Sequence, residues 1–432
     1  MKSQVEKISN RAFVRNVLVV ASGTAIAQVI YMIFSPFITR LYGPAVYGQM
    51  GAFMAVVTII GPVAALTYPL AIVLPKGNKE VRGLIHLSFL ISVGSAVSLA
   101  VILFFFYDKI ISLFNLTHLT DFLFLLPFVV LFSGSLQIAE SWLIRTKQFK
   151  VTAKVAVMQA LIVQGSMVLI GFLYPRASVL IIISALAIGL KAAMMIGFSN
   201  KRLFNLAQIR NESFTELKLI AAKHKDFPIF RAPEVLLDAV TLAVPVLLLA
   251  NFFGPASAGF YAIGYTVLSL PAQLIGKSVG DVFYPRISDA KNNGENMTGL
   301  IKEATLYLGI IGILPYLIII AFGPWLFSFV FGAEWWTAGE YARWMAIWTY
   351  FRFLNKASET ALPALSAQGF LLAATAISLV VKIVAFVIGL YVFSSALAAL
   401  AIAAIAEAIA EIIFLLITLH ISKKNDQAYQ VK

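Results

Sequence analysis

Apolar residues run through this chain in long unbroken stretches, separated by short polar segments that carry most of its lysine and arginine. Twelve stretches stand out, at about 14–38, 46–74, 83–107, 121–144, 153–174, 178–198, 231–253, 257–284, 304–330, 338–364, 371–393 and 396–420. A helix rises about 1.5 Å per residue, so roughly 20 apolar residues cross a hydrocarbon layer about 30 Å thick. None of the stretches alternates with period two, as membrane-barrel strands would, and in lipid only helices and closed barrels satisfy the backbone. The pattern predicts an all-α integral membrane protein of about twelve transmembrane helices. Most stretches exceed 20 residues, which permits tilt, and Pro62, Pro127, Pro245, Pro271 and Pro315 inside them predict kinks.

The halves of the chain repeat a motif. Tyr42-Gly43-Pro44-Ala45 with Gly48 follows the first stretch, and Phe253-Gly254-Pro255-Ala256 with Gly259 follows the seventh, 211 residues later. Six stretches, an even number, separate the copies, so the halves are expected to be parallel repeats related by an axis along the membrane normal. This gives an N-terminal lobe at 1–198 and a C-terminal lobe at 231–422, six helices each around a central cavity, and a tail at 423–432. The longest polar stretch, 199–230, reads as a cytoplasmic linker with a surface helix around 213–223.

Composition agrees: 60% of the residues are apolar and 12% charged, with a mean hydropathy of +0.90. Soluble domains carry about 25% charged residues. The net charge of +13 would suit a nucleic-acid binder in a soluble chain. Here the cations follow topology. With the N-terminus inside, the inner segments hold 24 Lys and Arg, and the outer loops hold Arg40, Lys109 and Arg176. Both termini are therefore expected in the cytoplasm. Lys2, Lys7, Arg11 and Arg15 precede Ala25-Ile26-Ala27 as in a signal peptide, but the apolar run continues to Phe34, which predicts an uncleaved first helix. With no cysteine, disulfides and thiolate metal sites are excluded.

Charges inside spans are costly and mark function or buried pairing. The tenth stretch places Arg352, Lys356 and Glu359 at i, i+4 and i+7, beside Trp348 and Asn355. Its two cations suit phosphate oxygens, as a pyrophosphate clamp, or belong to an ion network between helices. In the seventh, Arg231, Glu234, Asp238 and Thr241 form one stripe. Asp238 there could carry a coupling proton or sodium, or pair with a cation from another helix. The eighth aligns Ser269, Gln273, Lys277, Asp281 and Tyr284, with Lys277 able to snorkel to the surface or bridge Asp281. The fourth aligns Ser133, Gln137 and Glu140, with Arg145 just beyond; the first offers Thr24, Gln28 and Tyr31 to sugar hydroxyls or to helix packing. Lys382 with Glu407 and Glu411 reads as a buried structural pairing, and Lys191 points either to the surface or inward. The candidate substrate contacts are thus Arg352, Lys356, Arg231, Lys277, Gln28, Thr24, Asn355 and Trp348, and the candidate ion-coupling groups are Asp238, Glu140, Glu359 and Asp281. His86, His118, His224 and His420 lack metal-ligand spacing, and there is no P-loop, so no metal, cofactor or catalytic group is expected.

Several motifs resemble a known family. They are Ser22-Gly23-Thr24 with Ala27-Gln28, Arg40-Leu41-Tyr42-Gly43-Pro44 with Gly48, and Leu70-Ala71-Ile72-Val73-Leu74-Pro75. Tyr284-Pro285-Arg286-Ile287-Ser288 and Phe331-Gly332-Ala333-Glu334-Trp335 with Ala338-Gly339 complete the set and are the more specific. Over nearly its full length the chain resembles polysaccharide-biosynthesis membrane proteins of the Wzx flippase type, within the multidrug/oligosaccharidyl-lipid/polysaccharide exporter superfamily. Related sequences often place an acidic residue after the tyrosine at Tyr68, where this chain has Pro69, so that carboxylate's role does not carry over. The resemblance implies a V-shaped two-lobed transporter of the cell inner membrane, a cationic cavity and alternating access driven by a proton or sodium gradient. It implies undecaprenyl-pyrophosphate-linked oligosaccharide, an O-antigen or other surface-polysaccharide repeat unit, as cargo. It also implies a monomer in membrane lipid, associated with polysaccharide polymerase and chain-length machinery and binding no nucleic acid. The alternatives are a lipid II or multidrug exporter of the same superfamily, or a membrane glycosyltransferase or polymerase. A cation-drug exporter would favour an acidic cavity. An enzyme of the latter kind would need a larger outer loop than 108–120, whose Asp108, Lys109 and His118 form no obvious pair.

Overall fold

The computed structural model describes residues 2–114, 117–199, 213–365 and 367–430, with side chains except at 2–21, 113–114, 117–118, 275–282, 285, 292, 368 and 428–430. All regular structure among these residues is helical: α1 (Lys2–Ile60), α2 (Asn78–Phe114), α3 (Leu126–Arg145), α4 (Phe149–Leu173), α5 (Ala177–Phe198), α6 (Phe214–Lys223), α7 (Ala232–Phe253), α8 (Pro255–Asn293), α9 (Met297–Phe331), α10 (Trp336–Leu354), α11 (Lys356–Ala361), α12 (Gln368–Phe393) and α13 (Ala396–Gln430). Short 3-10 turns lie at Tyr68–Val73, Thr117–Leu125 and Ala333–Trp335, and a π turn at Phe227–Arg231 leads into α7.

Nine helices among the described residues are long and apolar enough to cross a membrane. One of them, Ser22–Ile60, has non-helical backbone at Gly43, which divides it into the expected first and second spans. α8 and α10, at 39 and 19 residues, have the length but carry more polar side chains. Every predicted stretch therefore contains a helix, and the chain is an integral membrane protein.

Three stretches depart from continuous helix. The second is α-helical only to Ile60: Gly61-Pro62 ends the ladder, and the chain turns through Leu66 and Thr67 (φ 49° and 58°) into the 3-10 segment. The fourth begins as a 3-10 turn and becomes α-helical only at Leu126, where Pro127 suits the first helical turn. In the tenth, Asn355 (φ −73°, ψ −3°) separates α10 from α11, its side chain drawn onto α13. The last helix runs on to Gln430, because the Asp426 carboxylate accepts from the Met297 and Thr298 N–H groups (3.0 Å each) and the Thr298 hydroxyl (2.6 Å), capping α9.

The chain gathers into two units, Met1–Ala243 and Val244–Lys432. In the first, Ile38, Tyr42, Val163, Met167 and Leu180 join α1, α4 and α5, and the Tyr42 hydroxyl donates to the Met167 carbonyl (2.8 Å). A second cluster sets Tyr68, Ala71 and Ile72 of the 3-10 segment on Val81, Leu84 and Ile85 of α2 and Ile138 of α3. The linker helix α6, capped by Ser213 whose hydroxyl oxygen accepts the Thr215 N–H (3.3 Å), docks on that cluster through Ile220 and Ala221. Lys79 bonds Glu216 (2.7 Å) and holds its carboxyl below the usual range. In the second unit α9 and α10 meet backbone to backbone: a Cβ on Gly339 would overlap Gly323 and Pro324. Small residues of this kind let membrane helices approach closely.

The two copies of the Gly-Pro motif share one backbone. Gly43 (φ 67°, ψ 172°) and Gly254 (φ 85°, ψ 168°) both adopt a conformation that only glycine reaches cheaply, and a proline follows each.

Candidate functional site

The densest intramembrane chemistry lies in the second unit, around Trp348 of α10. The indole is 5% exposed and heads an aromatic stack: Tyr265 lies 6.3 Å away at 15°, and Tyr261 6.2 Å from Tyr265 at 3°. Two cations face the same ring, the Arg352 guanidinium at 6.0 Å and the Lys382 ammonium at 5.3 Å. Both distances are within reach of the ring quadrupole. Lys382 of α12 (side chain 4% exposed) also pairs with Glu407 of α13 (2%) at 3.4 Å, and the Ser378 hydroxyl bonds both Glu407 oxygens at 2.9 Å. Tyr261, Trp348, Lys382 and Glu407 line a small, partly open pocket together with Pro245 and Phe386. One helical turn along α13, Glu411 accepts the Asn355 amide through its carboxylate (2.7 Å) and its carbonyl (2.8 Å). Arg352 lies within the electrostatic reach of Glu411, Lys382 and Tyr261.

The single stripe expected of Arg352, Lys356 and Glu359 does not form, because the helix is interrupted at Asn355. Lys356 opens α11 and pairs with Glu359 at 2.6 Å, while Arg352 closes α10 against Trp348. Asn355 is wholly buried and ties the junction to α13. The sequence reading placed Arg352 with Lys356. The structure places it with Lys382, Glu407 and Glu411, the group expected to be a separate pairing, and within that group the ion pair is Lys382–Glu407.

In the first unit, Glu140 of α3 pairs with Lys191 of α5 at 2.8 Å, so Lys191 reaches across to α3. On the same helix Gln137 donates to the Gly61 carbonyl (2.7 Å), and Arg145 donates to the carbonyls of Ile72 (3.3 Å), Val73 (3.4 Å) and Pro75 (2.5 Å). The polar stripe of α3 thus supplies hydrogen-bond partners where the chain leaves helical geometry after Ile60. Arg231 pairs with Glu234 at 2.6 Å, Asp238 is exposed, and Thr241 donates to the Leu237 carbonyl of its own helix (2.8 Å). Thr24 is exposed and Gln28 half-buried, and Tyr31 bonds Gln159 of α4 (3.3 Å). The side chains of Lys277 and Asp281 lie outside the described residues; nearby, Gln273 donates to Ser269 (2.8 Å).

Sequence reasoning missed Tyr261 and Tyr265. Their i, i+4 spacing was a signal, but aromatic pairs at that spacing are common packing in membrane helices. Among the described residues no group of three acidic, His or Cys side chains could hold a metal ion.

These features belong to an all-helical membrane protein whose fold is shared with solved transporters. A structure of a multidrug resistance MATE family transporter of the MOP superfamily, inward-facing, aligns with TM-score 0.72 at 13% identity, covering 96% of this chain and 99% of that one. The lipid II flippase MurJ, inward closed, aligns with TM-score 0.74 at 14% identity over 96% and 91%. A Vibrio cholerae MATE transporter aligns with TM-score 0.61 at 13% identity over 97% of each chain. The chain belongs to the polysaccharide biosynthesis protein family, whose profile matches residues 37–340. A comparison with curated proteins found no significant match.

Proposed function

We propose that this protein flips undecaprenyl-pyrophosphate-linked oligosaccharide from the cytoplasmic to the outer leaflet of the inner membrane, by alternating access of its two lobes. The observation that carries the reading is the intramembrane Arg352 guanidinium on a buried indole, beside the Lys382–Glu407 pair, within a family of polysaccharide biosynthesis proteins. A pyrophosphate with several sugars cannot shed its water to cross about 30 Å of hydrocarbon. Guanidinium and ammonium donors replace that water at the phosphates, and aromatic and hydroxyl side chains replace it at the sugars, while the polyprenyl tail stays in lipid. Lys356, Arg231, Lys277, Gln28, Thr24, Asn355 and Trp348 complete the cargo-facing set. Both termini and the linker lie in the cytoplasm. Lipid II is the second reading, since the fold is shared with its flippase and its headgroup carries the same pyrophosphate; the glycan separates the two.

The cycle is reset by a proton or sodium gradient through intramembrane carboxylates, Asp238 first among them with Glu140, Glu359 and Asp281. Asp238 comes first because its carboxylate is exposed on α7, whereas Lys191 holds Glu140 and Lys356 holds Glu359. A strain depleted of the protein should accumulate lipid-linked oligosaccharide on the inner leaflet. Wild type should clear it, Asp238→Glu should clear part, and Asp238→Asn should fail. Clearance by Asp238→Asn equal to wild type across a pH series would assign Asp238 to the structure alone.

A further inference from the structure

The linker helix carries a surface that the transport reading leaves unused. α6 is held rigidly on one side. Leu217 is buried, Ile220 and Ala221 pack on the cluster beneath, and the Tyr68 hydroxyl donates to the Ala221 carbonyl (3.2 Å). Glu80 binds both Lys223 (2.6 Å) and His224 (2.9 Å), and the Thr67 hydroxyl donates to the Phe227 carbonyl just beyond (3.0 Å). The rest of its circumference is exposed. Phe214 is 83% exposed and Leu219 67%, with Lys218 exposed one turn after Phe214 and Lys225 exposed in the turn that follows. Ile229 (53%) and Phe230 (70%) continue the apolar exposure into the π turn.

Position identifies what this face meets. α6 is fastened to Lys79 and Glu80, the first turn of α2, where the chain passes from polar to membrane-spanning sequence. Four residues after α6 the chain enters the span that begins at Phe227. The helix therefore lies at the membrane boundary, neither in hydrocarbon nor far out in water. Lys76, Arg82, Lys147 and Lys150 border the same ends of α2, α3 and α4, so the edge is basic. Large apolar side chains beside lysines at that depth match a helix lying in a lipid headgroup layer.

We propose that the outer face of α6 seats in the headgroup layer of an anionic leaflet, Phe214 and Leu219 entering the acyl boundary while Lys218 and Lys225 meet lipid phosphates. The inference needs only the helix's place at the boundary, so it stands or falls apart from the cargo. Leaflet composition would then bear on Leu66 and Thr67, whose left-handed backbone is tied to the linker through Thr67.

The cysteine-free sequence makes the test direct. Leu219→Cys, labelled with an environment-sensitive fluorophore in the full-length protein, is placed in nanodiscs of phosphatidylcholine with or without phosphatidylglycerol. Emission should shift to the blue and be quenched by shallow spin-labelled lipid when phosphatidylglycerol is present, and high salt should reverse both. Adding Lys218→Gln and Lys225→Gln should weaken the anionic preference roughly tenfold or more, from the loss of two interfacial charges, with the thermal midpoint of the protein unchanged. A label open to iodide and untouched by lipid quenchers in the anionic discs would overturn the proposal. Equal quenching in both lipids would overturn its anionic part, and shielding only after adding cytosolic protein would give the face to a protein partner instead.

Discussion

Arg352→Ala is expected to cut flipping about 10- to 100-fold while the protein still inserts and accumulates. A hydrogen bond to a charged group contributes about 1.5–3 kcal/mol, and losing one to a phosphate weakens cargo binding by that factor. Arg352→Lys should be intermediate, since the charge survives and the planar fork does not. The structural alternative makes a different forecast. Arg352 lies within electrostatic reach of Glu411, so a purely structural arginine would leave Glu411 uncompensated when removed, and protein level would fall. Adding Glu411→Gln would then restore both level and flipping. Glu359 does not take that part, because Lys356 holds it at 2.6 Å. Measuring abundance and flipping together for Arg352→Ala, with and without Glu411→Gln, separates the two. Full flipping at normal abundance in the single variant would remove Arg352 from the cargo site.

Lys382→Met should be the most damaging single change to stability. Lys382 and Glu407 are 4% and 2% exposed and bonded at 3.4 Å, and removing one partner of a buried pair costs about 3–5 kcal/mol by stranding the other. Ser378 would remain as the Glu407 partner but carries no charge. Combining Lys382→Met with Glu407→Gln should recover most of the loss, because a neutral amide can still bond Ser378 and a thioether fills the lysine's place. Thermal midpoints of the four proteins in detergent give the coupling. If the double variant is no more stable than the sum of the singles predicts, the pair does not hold α12 to α13.

The membrane-spanning pattern was legible because burial in lipid is written locally: a span must be apolar over most of its length. The Gly-Pro repeat was legible for a similar reason, since Gly43 and Gly254 satisfy a backbone demand visible in one residue. So was the surface helix α6, expected around 213–223 and found at Phe214–Lys223. The tenth stretch misled because helical periodicity assumes a continuous helix. Asn355 interrupts it through a bond to Glu411, 56 residues away, and no local pattern announces such a bond. The second stretch misled likewise: its non-helical end is satisfied by Gln137 and Arg145 from α3, so an apolar run could leave helical geometry inside the protein. Partner choice among intramembrane charges is a matter of tertiary contact. Sequence could pair Lys382 with Glu407 or Glu411, but it could not bring Arg352 to that group or Glu140 to Lys191.

The central claim is tested most directly by reconstitution. Purified protein in proteoliposomes is supplied with fluorescent polyprenyl-pyrophosphate-linked oligosaccharide, and an impermeant reagent that quenches only the outer leaflet follows its crossing under an imposed proton or sodium gradient. The account predicts protein-dependent crossing that a gradient accelerates, that Arg352→Ala slows, and that fails for the same glycan on an uncharged polyprenol. Crossing no faster than in protein-free liposomes, or equal crossing of the uncharged analogue, would contradict it.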